Sequence, residues 1–265
     1  MATPPAPATP ETVPVAPSGT RRVLPGLAGR LAVPISLGIV TGLLLLWLAA
    51  APLDSIERRL LGPDVLARRL GEHLELTLVS TAIVVVAAVA LGIALTRPGL
   101  RVLAPPAVAV ANIGQAVPSI GLLVLIAIVV GIGPDKAILA LVAYSFLPVL
   151  RNTLVGLRGV DRSLIEAGRG MGMSVWQTLR RVELPLAVPV ILAGVRTALA
   201  INVGTATLAT FVDGGGLGDT ITAGIRLGRD TVLVAGAALT AVLALALDWA
   251  AGWIESVLRP RGLSP

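Results

Sequence analysis

Cysteine is absent from the 265-residue chain, and histidine occurs once, at His73. The first absence excludes disulfides, thiolate ligands and a redox centre. With no His-x-x-x-His pair either, no metal site is credible and no cofactor is expected. Aromatic residues make only 3% of the chain, too few in any one layer to build an aromatic cage. Lys136 is the single lysine among 21 basic residues, and charged residues reach 14% against 55% hydrophobic, a balance that excludes an ordinary soluble protein. The net charge of +6 would suggest a nucleic-acid partner in a soluble chain. Here the arginines gather at the edges of apolar runs, which is how membrane topology uses them, so no nucleic acid is expected.

What remains is a set of apolar runs, several near the roughly 20 residues needed to cross a hydrocarbon layer. The fold class expected is an all-α polytopic membrane protein. Residues 1–20 are rich in Pro, Ala and Thr with one charge, Glu11, and predict a disordered cytoplasmic tail. Arg21, Arg22 and Arg30 precede the first span, Leu31 to Ala50, which is too long for a cleaved signal core. It closes into an external linker to residue 75, two amphipathic turns broken at Gly62-Pro63. There Leu60, Leu61, Leu66, Leu70 and Leu74 are available to the membrane surface.

Leu76 to Thr96 forms the second span. From Arg101 to Gly133 the chain is uncharged after Arg101, too long for one upright helix and too short for two, with Asn112, Gln115, Pro118 and Ser119 in its middle. One broken crossing is expected, its irregular part buried in protein, because unpaired backbone facing lipid is costly. Lys136 to Leu150 begins the fourth span, Leu186 to Leu208 makes the fifth and Thr231 to Trp249 the sixth. Arg97, Arg101, Arg151, Arg158 and Arg162 mark the cytoplasmic side. The count is six transmembrane helices with both termini cytoplasmic, a permease-like core over 76–255 and a short tail over 256–265. Between the last two spans, Gly214, Gly215, Gly216 and Gly218 read as an external gate, turn or re-entrant loop. They lack the Lys-Ser or Lys-Thr ending of a nucleotide loop, so no ATPase site is encoded.

The longest polar interruption of the second half runs from Asp161 to Arg196. Leu164, Ile165, Met171 and Val175 recur at helical spacings, while Gly170 and Gly172 interrupt them. Two short helices around a glycine bend are expected, the second ended by Leu184-Pro185. The spanning helix that follows resumes directly after the proline.

Glu166-Ala167-Gly168, three residues, Gly172, nine residues and then Val182-Glu183-Leu184-Pro185 resemble the cytoplasmic-loop signature of permease subunits of binding-protein-dependent ABC importers. Gly168 stands where that signature has alanine, and Val182 where it has isoleucine. Three further stretches look like the glycine betaine, carnitine and choline osmoprotectant branch: Leu76-Thr77-Leu78 with Ser80-Thr81, Asn112 to Leu123, and Ile201 to Ala209 leading to Gly214-Gly218. The resemblance implies a MetI-like fold in a bacterial plasma membrane and a non-catalytic subunit. It implies that the loop, 156–185, docks on a separate ATP-binding subunit. A second permease, identical or sister, an extracytoplasmic solute-binding protein and a small osmolyte complete the system. It leaves amino acids and other small solutes open. A secondary carrier or a membrane scaffold are the readings outside this class, and the lack of an acidic residue deep in a span counts against a carrier. Asn112, Gln115, Pro118, Ser119, Asn202 and Thr205 are candidates for the path; for Asn112, Gln115, Asn202 and Thr205 hydrogen bonding between helices is the equal alternative.

Overall fold

The computed structural model describes residues 27–258, with the side chains of residues 27–30 excepted. The expected tail over 1–20, Arg21 and Arg22, and residues 259–265 of the expected tail over 256–265 lie outside them; residues 256–258 continue the last helix. Eleven α-helices follow one another in the described part, and five are long and apolar enough to cross a membrane. A bent pair makes a sixth if it is taken as one span.

The first helix, α1 (Leu27–Ala50), lies at the periphery and touches the rest through Leu44 and Leu48, which pack with Leu61, Val232 and Ala235. A short helix, α2 (Ser55–Leu60), is capped by Asp54, whose carboxylate accepts from the Ile56 and Glu57 N–H groups. The chain breaks at Gly62, where Pro63 supplies the first residue of α3 (Pro63–Thr96) at the position where a missing N–H costs nothing. The linker therefore does not lie flat to residue 75. Leu60, Leu61 and Leu66 pack toward α1 and the last helix instead of toward lipid, and the second spanning helix begins thirteen residues ahead of Leu76. At 34 residues, α3 is about 51 Å long, far more than a hydrocarbon layer needs, so its first turns project beyond it.

After a short 3-10 turn at Arg101–Leu103, α4 (Ala104–Ala116) and α5 (Ser119–Val130) meet at 99°. Pro118 sets this break: it has no N–H to continue α4 and holds Val117 extended, at ψ 135°. Neither piece alone reaches the roughly 30 Å of a bilayer core. Pro118 is exposed and Val117 half-buried in the single chain. The irregular part is thus not covered by the chain's own helices.

The centre is a three-helix core of α3, α6 (Pro134–Arg158) and α9 (Leu184–Ala206). Small residues let these backbones approach: a Cβ on Gly194 of α9 would lie 2.8 Å from the Pro148 carbonyl oxygen of α6. Apolar layers fill the core at two levels, around Leu76, Leu141 and Ala206 and around Val84, Leu150 and Ala198. Two small helices, α7 (Arg162–Gly170) and α8 (Val175–Thr178), project at one end, called here the loop end. At the opposite end α10 (Leu217–Leu227) packs on α11 (Asp230–Leu258), following the glycine segment that the sequence pattern marks as an external gate, turn or re-entrant loop.

Candidate functional site

At the loop end, the Asp161 side chain caps α7 by accepting from the Ser163 N–H at 2.8 Å. The backbone bond to Ser163 holds the Asp161 carboxyl below its usual pKa. One turn on, Glu166 pairs with Arg162 at 2.8 Å, both side chains mostly exposed. The helix then stops in a Schellman motif. Gly172 takes φ +82°, its N–H bonds to Arg169 C=O, and the Met173 N–H reaches back to Gly168 C=O at 3.1 Å. Gly168 is buried, and a Cβ there would meet Met173 Sδ at 3.4 Å and Val182 Cγ2 at 3.7 Å. Around Gly170 and Gly172 there is open space. Gly168 is therefore small for the loop's own packing, and Gly172 is glycine for its backbone angle. Ala167 lies exposed beside them.

A capping box of Ser174 and Gln177 starts α8. That helix does not end at Leu184-Pro185. It passes through a π-helical turn, Leu179–Glu183, in which the Leu184 N–H bonds to Leu179 C=O, and runs on as α9. The wider turn is the local answer to Pro185, which brings no N–H to the ladder. Leu184 packs with Leu157, Leu179 and Ala187, anchoring the loop's exit to the core. Four apolar side chains stay uncovered along the loop: Leu164, Met171, Val175 and Trp176.

The six path candidates of the spans fall into two places. Asn112 Oδ1 accepts from Arg151 Nη2 at 3.0 Å and Gln115 Nε2 donates to Tyr144 C=O at 3.1 Å, so both tie α4 to α6. Pro118 and Ser119 form the elbow between α4 and α5 on the same open side. Asn202 and Thr205 instead are buried in the core. The Asn202 amide donates to Thr81 Oγ1 at 2.9 Å, while His73 Nε2 bonds the Val203 carbonyl oxygen at 3.0 Å. His73, Thr77 and Thr81 recur at helical spacing on one face of α3, and His73 Nδ1, Thr77 Oγ1 and Asn202 Oδ1 have no protein partner. Sequence reasoning missed His73 because it placed that residue in a linker. The four-residue spacing to Thr77 and Thr81 was the available signal.

At the end opposite the loop, the glycine segment is strapped to the projecting part of α3. Asp213, Gly215 and Gly216 all have positive φ, which lets the Gly216 N–H meet Glu72 Oε2 at 2.9 Å. Arg69 bridges Glu72 and Asp219. Gly214 and Gly218 are tight: a Cβ on Gly218 would fall 2.0 Å from the Thr207 carbonyl oxygen. Beside this strap lies a cleft of about 370 Å³ lined by Arg69, Glu72, Glu75, Asp213 and Asp219, among others.

Spanning helices around a close-packed core, with a compact helical loop projecting at one end, define a multi-pass membrane component of the MetI type. Residues 85–260 match the family described as binding-protein-dependent transport system inner membrane component, and the chain belongs to it. The chain is 42% identical over 193 residues to the glycine betaine/carnitine/choline transport system permease protein OpuCB of Bacillus subtilis, which covers 73% of this chain and 88% of that protein. It is 39% identical over 222 residues to the osmoprotectant import permease protein OsmY of Salmonella typhimurium, covering 84% and 93%. Among solved structures, inward-facing conformations of the MetNI methionine ABC transporter, in a native crystal form, are similar: TM-score 0.64 and 29% identity over 74% of this chain and 96% of that one.

Proposed function

We propose that this chain is the membrane-spanning permease of an ATP-driven importer for a compatible solute such as glycine betaine, carnitine, choline or proline. Two copies, or one copy and a sister chain, enclose the path. ATP is hydrolysed by separate subunits docked at the loop end, and an extracytoplasmic receptor delivers solute to the opposite end. The loop end then faces the cytoplasm, as do both termini, and the glycine strap faces outward.

The observation that carries this reading is the loop itself. Residues 166–185 hold the family spacing, and the Schellman motif presents Leu164, Met171, Val175 and Trp176 uncovered at the tip, ready to bury apolar area on a partner. The choice of osmolyte rests on the curated relatives, and the scarcity of aromatic residues points to the receptor as the main source of selectivity. An amino-acid substrate is the second reading, favoured by the methionine transporter structures.

Uptake by the reconstituted complex decides between them. With ATPase and receptor present, glycine betaine, carnitine, choline and proline are compared with methionine. Osmolyte uptake is expected. Uptake of methionine alone would sink the osmolyte reading and spare the permease one.

A further inference from the structure

We propose that the Arg97–Glu183 ion pair is the strut through which movement of the polar loop reaches the spanning core, a positioning role that rests on the permease reading above. Glu183 is the last residue of the π-helical turn and is only 5% exposed. Arg97 caps the far end of α3, a helix of 34 residues. The guanidinium engages both carboxylate oxygens, with Nη1 at 3.3 Å from Oε1 and Nη2 on Oε2, and also donates to Thr96 Oγ1. A planar fork on a carboxylate resists rotation as well as separation, which a single contact does not. Among the described residues it is the only ion pair between the loop and α3.

Its place in the loop gives it the role. Val182 and Glu183 are neighbours that face different bodies: Val182 packs toward Gly168 of α7, and Glu183 holds α3. A push on α7 therefore meets, one residue later, a fixed link to a different spanning helix from the α9 it continues into. The π turn is where such a push could otherwise be absorbed, since its hydrogen bonds are already widened to accommodate Pro185. Tying its last residue to α3 makes α3 and the start of α9 move together. The buried bond between Asn202 of α9 and Thr81 of α3 keeps them registered further along.

The test uses the complete complex in proteoliposomes and reads solute molecules imported per ATP hydrolysed. Arg97→Gln, Glu183→Gln and the exchange Arg97→Glu with Glu183→Arg are compared with the unmodified chain, each checked for insertion and for co-purification of the ATPase. The single variants should retain the ATPase and continue to hydrolyse ATP while the import ratio falls at least fivefold; the exchange should bring it back to within twofold. Should Glu183→Gln fail to insert, Glu183→Asp replaces it, keeping the charge but shortening the reach, with the same fivefold expectation. A ratio within twofold of the unmodified complex in the single variants, a parallel fall of hydrolysis and uptake that leaves the ratio intact, or an exchange that stays as uncoupled as the single variants overturns the strut. An unmodified complex whose uptake does not depend on ATP would instead overturn the permease reading, which separates the two failures.

Discussion

The side-chain amide of Asn202 in α9 donates to the hydroxyl of Thr81 in α3 at 2.9 Å, with Asn202 fully buried. This bond joins two helices that run through the core, and it spends the donor of Asn202, one of the three amides among the path candidates, while its Oδ1 stays without a protein partner. A second, Gln115, likewise spends its donor on a neighbouring helix backbone.

Replacing Asn202 by Ala should therefore cost stability more than selectivity. Interhelical side-chain bonds in membranes are worth about 0.6 kcal/mol on average and at most about 1.7. A modest fall in the detergent melting temperature is expected, with the order of preference among glycine betaine, carnitine and choline preserved. A reordering of those solutes would place Asn202 on the path.

At the loop tip, Gly172 and Gly168 should fail for different reasons. Gly172 has open space but φ +82°. Gly172→Val should strain the Schellman turn by about 1–2 kcal/mol, whereas Gly172→Asn, which tolerates that region, should be milder. Gly168→Val would push on Met173 and Val182 and displace α7 from the π turn. Co-purification of the ATPase should be weakened least by Gly172→Asn, more by Gly172→Val and most by Gly168→Val. Glu166→Ala should matter less than any of these, because an exposed ion pair contributes about 0.2–1 kcal/mol.

The glycine strap predicts a sharper outcome. The Thr207 carbonyl oxygen would lie 2.0 Å from a Cβ on Gly218, and both groups are backbone-fixed. Gly218→Ala should destabilise by about 3 kcal/mol, at the upper end of overpacking costs, and give little folded protein. Arg69→Gln releases Asp219 and Glu72 without a clash; it should insert normally and loosen the segment, read as faster hydrogen exchange at Gly216.

Sidedness is tested with single cysteines in a chain that has none of its own. Asp64 and Arg226 are both exposed, at the strap end, and Arg158 and Gln177 are exposed at the loop end. An impermeant thiol reagent on intact cells should label the first two and spare the second two. Because α3 and α6 each cross between Asp64 and Arg158, that pair also reports whether α4 and α5 together make one crossing: labelling of both would make the bent pair a re-entrant hairpin. Cysteines at Thr20 and Ser264 test the sidedness of the termini, and both should be protected.

Run length and charge placement were enough to determine that this is a helical membrane protein, because crossing lipid demands long apolar segments whatever their neighbours. The spacing from Glu166 to Pro185 was legible for a related reason: a capped helix, a left-handed glycine and a restarting helix are local structures written by adjacent residues. The break at Pro118 was legible in the same way, since proline acts on its own ladder. What the sequence left undecided were relations between distant segments. That Leu61 packs against Val232 instead of lipid, that α3 begins at Pro63, that α10 is a helix laid on α11, and that Glu183 is held by Arg97 all depend on which helix faces which. Apolar residues look alike in the sequence whether they meet lipid or protein. Only the packing of α3, α6 and α9 decides which polar side chains are spent on one another, because a hydrogen bond in the core requires two groups that the chain separates by a hundred residues or more to arrive at the same depth.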